Sequence, residues 1–431
     1  MKFVNLKGSL INGRRLRPAA LVAVTLLPLV VAAQGAQAGF PGANGLIAYG
    51  SSATGFLGDT EIWATSETES GWRAVRLSTN RAVDEQPAVS PNGKEIAFQS
   101  TRSTEAFPNP ERDRELYVMD AKDDDGDGEG DNLRRLTDNA AADTNVAWSP
   151  DGKKLAFLSK SVDIYVMDAD GSVAEDGSEL PPEIVLPRPP GTVQLAHPVF
   201  SPDGEWIVFV GGYGRVNAAV GPSGSDSTDL DLFITRADGS GFDDTVEDPE
   251  VVKLTDTPTD ATATWFPGET HPDFSPDGTK LAFMSNRDYD GDGLEDDTDI
   301  YVMNVLSVGL DGSVRVTPES PSNVPVNVTD SMIDVDPISG YPVLDPITHE
   351  PTRTNERWPA WSPDGTQIAV WSGTGLATAL AQRPGIWSID ADAQTDWTEP
   401  EPGAPIRITD PLINPAPSRP DWGPAPTEPN R

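Results

Sequence analysis

The chain has 431 residues, with 31 Lys and Arg against 68 Asp and Glu, a formal charge of −37, and no cysteine. That charge excludes nucleic acid as a partner, because phosphates need a basic surface, and it disfavours anionic membranes. The lack of cysteine excludes a disulfide framework, a thiol nucleophile and a lipid-bearing cysteine.

Residues 1–38 read as a secretory signal. Lys2, Lys7, Arg14, Arg15 and Arg17 form its basic start, and Ala19 to Ala33 an apolar stretch too short to span a bilayer stably. Ala36-Gln37-Ala38 then offers small residues where a signal peptidase reads, so cleavage is expected after Ala38. The expected destination is the periplasm or the outside medium, without membrane insertion, since no other long apolar run follows. The five basic residues leave with the signal, so 26 of the 31 remain against 68 acidic ones, a charge of −42. Such a charge suits a salty medium, bound divalent cations or a cationic partner.

Three short apolar strands follow, at 45–49, 61–64 and 75–78, with no turn motif before them. Five turns of one kind come next: Ser90-Pro91-Asn92-Gly93, Ser149-Pro150-Asp151-Gly152, Ser201-Pro202-Asp203-Gly204, Ser275-Pro276-Asp277-Gly278 and Ser362-Pro363-Asp364-Gly365. Pro presets φ for a tight turn, Asp tolerates the next position, and Gly supplies the positive φ that sends the chain back as a hairpin. After each turn comes a short strand (96–98, 155–157, 207–209, 281–283, 368–370), then another (116–119, 164–167, 232–234, 300–303, 386–389). A fourth strand often ends in a Leu-Thr-Asp-like triplet, at 136–138, 254–256, 328–330 and 408–410. The last segment, 419–424, looks like a first strand without its turn.

Four short antiparallel strands per unit, repeated, predict an all-β, six-bladed β-propeller over 39–424, with 425–431 as a tail. Head and tail would share one blade and close the ring without an open edge. A solenoid would need capping units, and the sequence has none. The five turns and their flanking strands resemble the TolB-like propeller repeat, a relative of the WD-type blade, over 45–424. The resemblance implies a stand-alone propeller lacking the α/β domain found before it in the family's namesake. The repeat serves binding scaffolds, protease accessory domains and some lyases alike, so function must be read from the site.

Two acidic runs fit D-x-D-x-D-G-x-x-D. One has Asp123, Asp125, Asp127, Gly128 and Asp131; the other has Asp288, Asp290, Asp292, Gly293 and Asp296, with Asp299 at the twelfth place. Alternate carboxylates can curl round one hard cation, and the carbonyl of Glu129 or Leu294 would add a ligand. The expected cofactor is calcium, stapling long acidic loops; the bland alternative is a solvated acidic loop.

The residue four before each turn serine should begin the innermost strand. Round the ring these are Gln86, Asn145, His197, His271 and Trp358, with Arg419 from the closing strand. Two histidines in adjacent blades could pair on a transition metal, with Glu269 or Glu356 as a further ligand; the plainer reading is a wet, polar channel. Arg357, Trp358 and Arg419 are expected to be exposed anchors for a partner, since Trp and Arg dominate interface energetics. No G-x-S-x-G elbow is present, and no Asp/Glu pair stands out for acid–base work. The expected function is a monomeric, non-catalytic scaffold for a protein or glycan. The alternatives are a polysaccharide lyase or hydrolase around His197 and His271, and a structural surface protein.

Overall fold

The computed structural model describes residues 40–51, 60–105, 108–160, 162–170, 184–214, 228–239, 251–256, 268–287, 298–308, 314–320, 322–329, 355–373, 385–391, 406–409 and 417–426. The signal segment and the run from Asp288 to Asp296 lie outside the described residues. The strands, in chain order, are β1 (Asn44–Ser51), β2 (Glu61–Thr68), β3 (Gly71–Arg76), β4 (Asp84–Val89), β5 (Glu95–Ser100), β6 (Glu115–Asp120), β7 (Arg134–Arg135), β8 (Asp143–Trp148) and β9 (Lys154–Ser159). Then come β10 (Asp163–Asp168), β11 (Ile184–Val185), β12 (Thr192–Phe200), β13 (Trp206–Gly214), β14 (Thr228–Arg236), β15 (Val251–Lys253), β16 (Glu269–Phe274), β17 (Lys280–Ser285) and β18 (Asp299–Asn304). The last are β19 (Leu306–Val308), β20 (Val314–Val316), β21 (Val326–Asn327), β22 (Asn355–Trp361), β23 (Gln367–Gly373), β24 (Gly385–Asp390), β25 (Ile406–Arg407) and β26 (Pro417–Pro424).

They form six four-stranded antiparallel sheets. Five are β4–β7, β8–β11, β12–β15, β16-β17-β18-β21 and β22–β25; the sixth has the order β26-β1-β2-β3. The innermost strands β26, β4, β8, β12, β16 and β22 each touch the next, and β22 touches β26, so the sheets stand round one axis. β26 pairs with β1 (Trp422 opposite Ile47, Asp421 opposite Ala48), so one blade joins both ends of the propeller. A two-stranded hairpin, β19–β20, is an addition to the fifth blade that the repeat did not announce. Among the described residues, no helix is long and apolar enough to cross a membrane.

The core lies between sheets, because the second strand of each blade buries both faces while the fourth stays half-exposed. Val208, Val210, Leu232 and Ile234 meet Phe274, Leu281, Phe283 and Tyr301. At the closing seam, Ile47, Tyr49 and Trp422 meet Ala360, Ala369, Ile386 and Ile408.

The turn motif works through each of its residues. In the second turn, the Ser149 hydroxyl donates to Asp151 at 2.8 Å, and Gly152 N–H donates to Ser149 O at 2.9 Å. Lys154 N–H then donates to the Ser149 hydroxyl at 2.9 Å, and the other four turns repeat this contact. The turns also touch one another: Gly152 faces Pro91, Gly204 Pro150, Gly278 Pro202 and Gly365 Pro276. Their spacing therefore carries information about blade packing as well as about hairpins.

Two of these glycines give a graded prediction. Gly365 has φ +74°, and a Cβ there would meet Pro276 at an ordinary 3.6 Å; Gly93 has φ +68°, and its Cβ would fall 2.1 Å from Pro424 O. Gly365→Ala should cost only the left-handed backbone, about 1–2 kcal/mol. Gly93→Ala should cost at least twice as much, because a backbone carbonyl of the closing strand must move. Denaturant titration of the two variants checks the order.

The Leu-Thr-Asp triplet lies just past the fourth strand, not inside it. Its hydroxyl accepts an N–H from the third strand: Leu116 N to Thr137 Oγ1, Leu232 N to Thr255 Oγ1, Ile300 N to Thr329 Oγ1 and Ile386 N to Thr409 Oγ1, each 2.9 Å. Ser78 does the same for Ile62 N. In three blades the hydroxyl also donates to the acid that opens the third strand: Ser78 to Glu61 (2.6 Å), Thr137 to Glu115 (2.5 Å) and Thr329 to Asp299 (2.9 Å).

Candidate binding site at the channel mouth

Every innermost strand carries a bulge near this level; on β26 the register slips between Pro417 and Pro420. On the other five it slips between Glu85 and Ala88, Thr144 and Ala147, Ala196 and Val199, Thr270 and Asp273, and Arg357 and Ala360. The bulged residues Gln86, Asn145, His197, His271 and Trp358 have φ between +48° and +57°. For non-glycine residues this costs about 1–2 kcal/mol each, and bulges aim side chains where a plain strand cannot. Proline follows four of the five, at 87, 198, 272 and 359. Arg419, their counterpart on β26, lacks the left-handed turn. All six residues chosen by counting back from the turn thus come together at one level of the channel.

The two halves of this ring differ. On one side the groups satisfy each other. Asn145 Nδ2 donates to Gln86 Oε1 at 2.5 Å, Asn145 N–H to Gln99 Oε1 at 3.1 Å, and His197 N–H to Asn145 Oδ1 at 3.3 Å. Gln99 and Arg114 in turn donate to Glu85. On the other side, rings and cations gather. The imidazoles of His197 and His271 lie 3.7 Å apart between centroids, tilted by 33°. Trp358 lies 6.1 Å from His271 and 5.6 Å from Trp371, and Arg357 sits 5.5 Å over the Trp371 ring. His197 Nδ1 and Arg357 Nε are buried atoms with no hydrogen-bond partner. Arg357, Trp358 and Arg419, expected to be exposed, are half-buried, because the bulge draws position 358 inward against Trp371 and His271.

Electrostatics follow from this enclosure. These side chains keep some accessible surface because they line a channel, yet protein surrounds them on all sides. Burial, with the Arg419 charge, pushes the His197 imidazole down to about 3. Burial, then His197, Arg419 and Arg357, holds His271 well below its ordinary value. Both histidines are therefore neutral at pH 7. One layer down, towards the turns, burial pushes Asp273 up to about 8 and Asp421 up to about 6. Each of these carboxylates accepts an N–H from the next innermost strand: Trp361 N to Asp273 at 2.7 Å, and Val89 N to Asp421 at 2.6 Å. Arg419 is held below its ordinary value by burial, against the pull of Asp421 and Asp273.

The turn-bearing end of the channel contains a cavity of about 50 Å³, lined by Asp273, Asp421, Arg419, Trp361 and Phe40 among others. It has room for a few waters and no sugar. Phe40 reaches it from the head of the described chain, where Gly42 N–H donates to Pro363 O and Asn44 pairs with Asp364. Nothing in the repeat pointed to Phe40. The only signal was an aromatic residue just past the expected cleavage site.

Of the first acidic run, Asp123, Asp125 and Asp131 bring ligand atoms within 4.8 Å of one another. Asp127 is outside that cluster, and its carboxylate accepts Glu129 N–H at 2.8 Å. The loop rests on the preceding blade. Glu129 accepts Thr79 N–H at 3.1 Å and pairs with Arg102 at 3.1 Å, while Gly130 N–H donates to Leu77 O. Arg102, 3% exposed, also pairs with the buried Asp84 at 2.7 Å. Of the second run only Asp299 lies among the described residues, where it accepts the Thr329 hydroxyl as Glu115 accepts that of Thr137. Glu269 and Glu356 are fully buried; Ser285 donates to the first at 3.4 Å and Ser372 to the second at 2.9 Å.

No protein-family model matches the chain. An uncharacterised protein of Agrobacterium fabrum is 31% identical over 168 residues, a match that spans 38% of this chain and 42% of that relative's length. Among solved structures, TolB from Acinetobacter baumannii is 15% identical with a TM-score of 0.48, over 88% of this chain and 67% of the other. An oligogalacturonate lyase from Vibrio parahaemolyticus (12%, TM-score 0.39) covers 86% of this chain and 78% of its own. A periplasmic gluconolactonase from Pseudomonas aeruginosa (15%, TM-score 0.40) covers 88% and 84%. At such identities these likenesses say nothing of activity. By its six four-stranded sheets set round one axis, the chain is a six-bladed β-propeller.

Proposed function

We propose that this is an exported, calcium-stabilised scaffold that binds a protein or a glycan at the channel mouth and the loops around it. The supporting observation is the unequal ring. One half is closed by its own amides, while the other gathers His271, Trp358 and Arg419 beside His197 Nδ1 and Arg357 Nε, two buried atoms without a hydrogen-bond partner. Tryptophan and arginine in a half-buried pocket are what a binding hot spot is made of. The rival reading, a polysaccharide lyase or hydrolase centred on the two histidines, asks for a base that works near pH 7. An imidazole pushed down to about 3 is a weak one.

The test is capture from native envelope or culture fluid by the immobilised mature protein, beside its Trp358→Ala variant. A stable partner retained by the parent and lost by the variant supports the scaffold. Cleavage of a polysaccharide by the parent, abolished in His197→Ala and His271→Ala, would replace it with the enzyme.

Calcium would sit on Asp123, Asp125 and Asp131. Because Glu129 of the same loop grips Thr79 and Arg102, its effect would reach two blades. A cation at a hundred times its Kd adds about 2.7 kcal/mol, so chelation should lower Tm by several degrees, and Asp123→Asn should remove the response. An unchanged Tm with chelator at fixed ionic strength sinks the calcium assignment.

A further inference from the structure

We infer that the ligand of the channel mouth carries a carboxylate, which sits between Arg357 and Arg419 while its apolar body lies against Trp358 and Trp371. This rests on the reading of the mouth as a binding site and adds what that site selects.

The chain is strongly acidic, yet these two guanidinium groups, on the adjacent innermost strands β22 and β26, have no ion-pair partner among the described residues. Many other arginines pair with acids: Arg76 with Glu61, Arg102 with Asp84, Arg114 with Glu85, Arg134 with Glu95. Arg73, Arg81 and Arg112, which also have no ion pair among the described residues, are exposed, whereas Arg357 and Arg419 are half-buried. The two carboxylates whose charge acts on Arg419, Asp273 and Asp421, are each committed to a backbone N–H of the next strand.

Unfilled hydrogen bonds point the same way. Arg357 Nε is a buried donor without an acceptor, and His197 Nδ1 also lacks a partner. Buried polar atoms in folded proteins are almost always paired, so an orphan donor beside a second guanidinium marks a place for an acceptor from outside. A carboxylate fits best, since guanidinium binds it through charge-assisted, forked bonds. A metal cation does not fit, because both arginines repel it and already disfavour protonation of His271. The two indoles supply an apolar wall for the rest of the ligand. Long-range repulsion by an acidic chain favours a small ligand with one charge over a polyanion, since that repulsion fades beyond about 8 Å at physiological salt.

The probe is D-glucuronate, titrated into the mature protein by calorimetry at low fixed ionic strength, with D-glucose as its uncharged counterpart and propionate as the bare acid. Glucuronate should bind saturably, propionate more weakly, and glucose not at all. Arg357→Gln should weaken glucuronate roughly 10- to 100-fold, the range for a lost charged hydrogen bond. Arg357→Lys should recover part of the loss, which a misfolded variant could not do. Bound glucuronate should also raise the NMR-detected pKa of His271, since an anion offsets the arginines.

Equal binding of glucose, or glucuronate binding indifferent to both Arg357→Gln and Arg419→Gln, overturns the inference. So does failure of both acids to bind. If the acids fail while Trp358→Ala still abolishes capture of a native partner, the scaffold survives and only its carboxylate preference falls.

Discussion

A chain ended at Asp410 should fail to fold cooperatively, and Trp422→Ala alone should remove about 3–5 kcal/mol. The cut deletes β26, which supplies the innermost strand of the first sheet and pairs with β1 from Asn44 to Ser51. With it goes Trp422, 3% exposed and packed against Ile47, Tyr49, Ala360 and Ile408, so the seam between two blades opens. Asp421 goes as well, leaving Val89 N–H without its acceptor at 2.6 Å. Domains are stable by about 5–15 kcal/mol in total, so losing a seam, a strand ladder and a buried hydrogen bond together exceeds what the ring can lose. The exposed edge of β1 would then favour aggregation. Calorimetry should find one transition in the parent, a lower one in Trp422→Ala, and none in the truncated chain. Adding residues 417–426 as a separate peptide should restore part of the transition. A truncated chain that melts like the parent would show that closure contributes little.

The blades were legible because each depends on residues with few substitutes. Only Gly takes the left-handed end of the turn cheaply, and Ser149 and Asp151 hold that turn by three bonds. Five repeats of that constraint fix strand order and spacing, and counting back from the turn found Gln86, Asn145, His197, His271, Trp358 and Arg419. What the count could not show was the left-handed bulge, which lies on residues with no backbone signature beyond a following proline. It is why Trp358 turns inward and is half-buried. The partition of the first acidic run was equally hidden. Asp127 has the same chemistry as Asp125, and only the path of the loop, docked through Glu129 on Thr79 and Arg102, separates them. Asp299 matched a ligand by spacing; in the fold it opens β18, and in three blades an acid at that place takes the hydroxyl that follows the fourth strand.

Stability should rise as pH falls from 8 to about 5, then decline below about 4. Burial pushes Glu115 up to about 8 and Glu61 up to about 7, in spite of hydroxyl donors from Thr137 and Ser78; Asp273 reaches about 8 and Asp421 about 6. A carboxylate raised on folding binds more protons in the native than in the unfolded chain between its two pKa values, so stability falls as pH rises through that window. For Glu115 the window runs from about 4.5 to about 8, and for Glu61 from about 4.5 to about 7. Both side chains are almost wholly buried, and each pKa unit corresponds to about 1.4 kcal/mol, so each contributes on the order of 3–5 kcal/mol at most. His197 and His271 act in the opposite sense. Their native values lie below the unfolded 6.5, so stability is lost as pH falls from 6.5 towards 3. Between 6.5 and 8 the carboxylates act alone; between 4.5 and 6.5 four of them outweigh two histidines; between 3.8 and 4.5 Asp273 and Asp421 still oppose them; below 3.8 the histidines pull together with Asp151, Asp277 and Asp364, which folding lowers. Mutual repulsion of the surface acids adds to the loss at high pH. Thermal scans at constant ionic strength should place the highest Tm near pH 5, several degrees above that at pH 8. Glu115→Gln, which keeps an acceptor for Thr137 without the charge, should flatten the slope between pH 7 and 8. A Tm that climbs from pH 5 to 8 would mean that these acids are ionised at little cost in the folded chain.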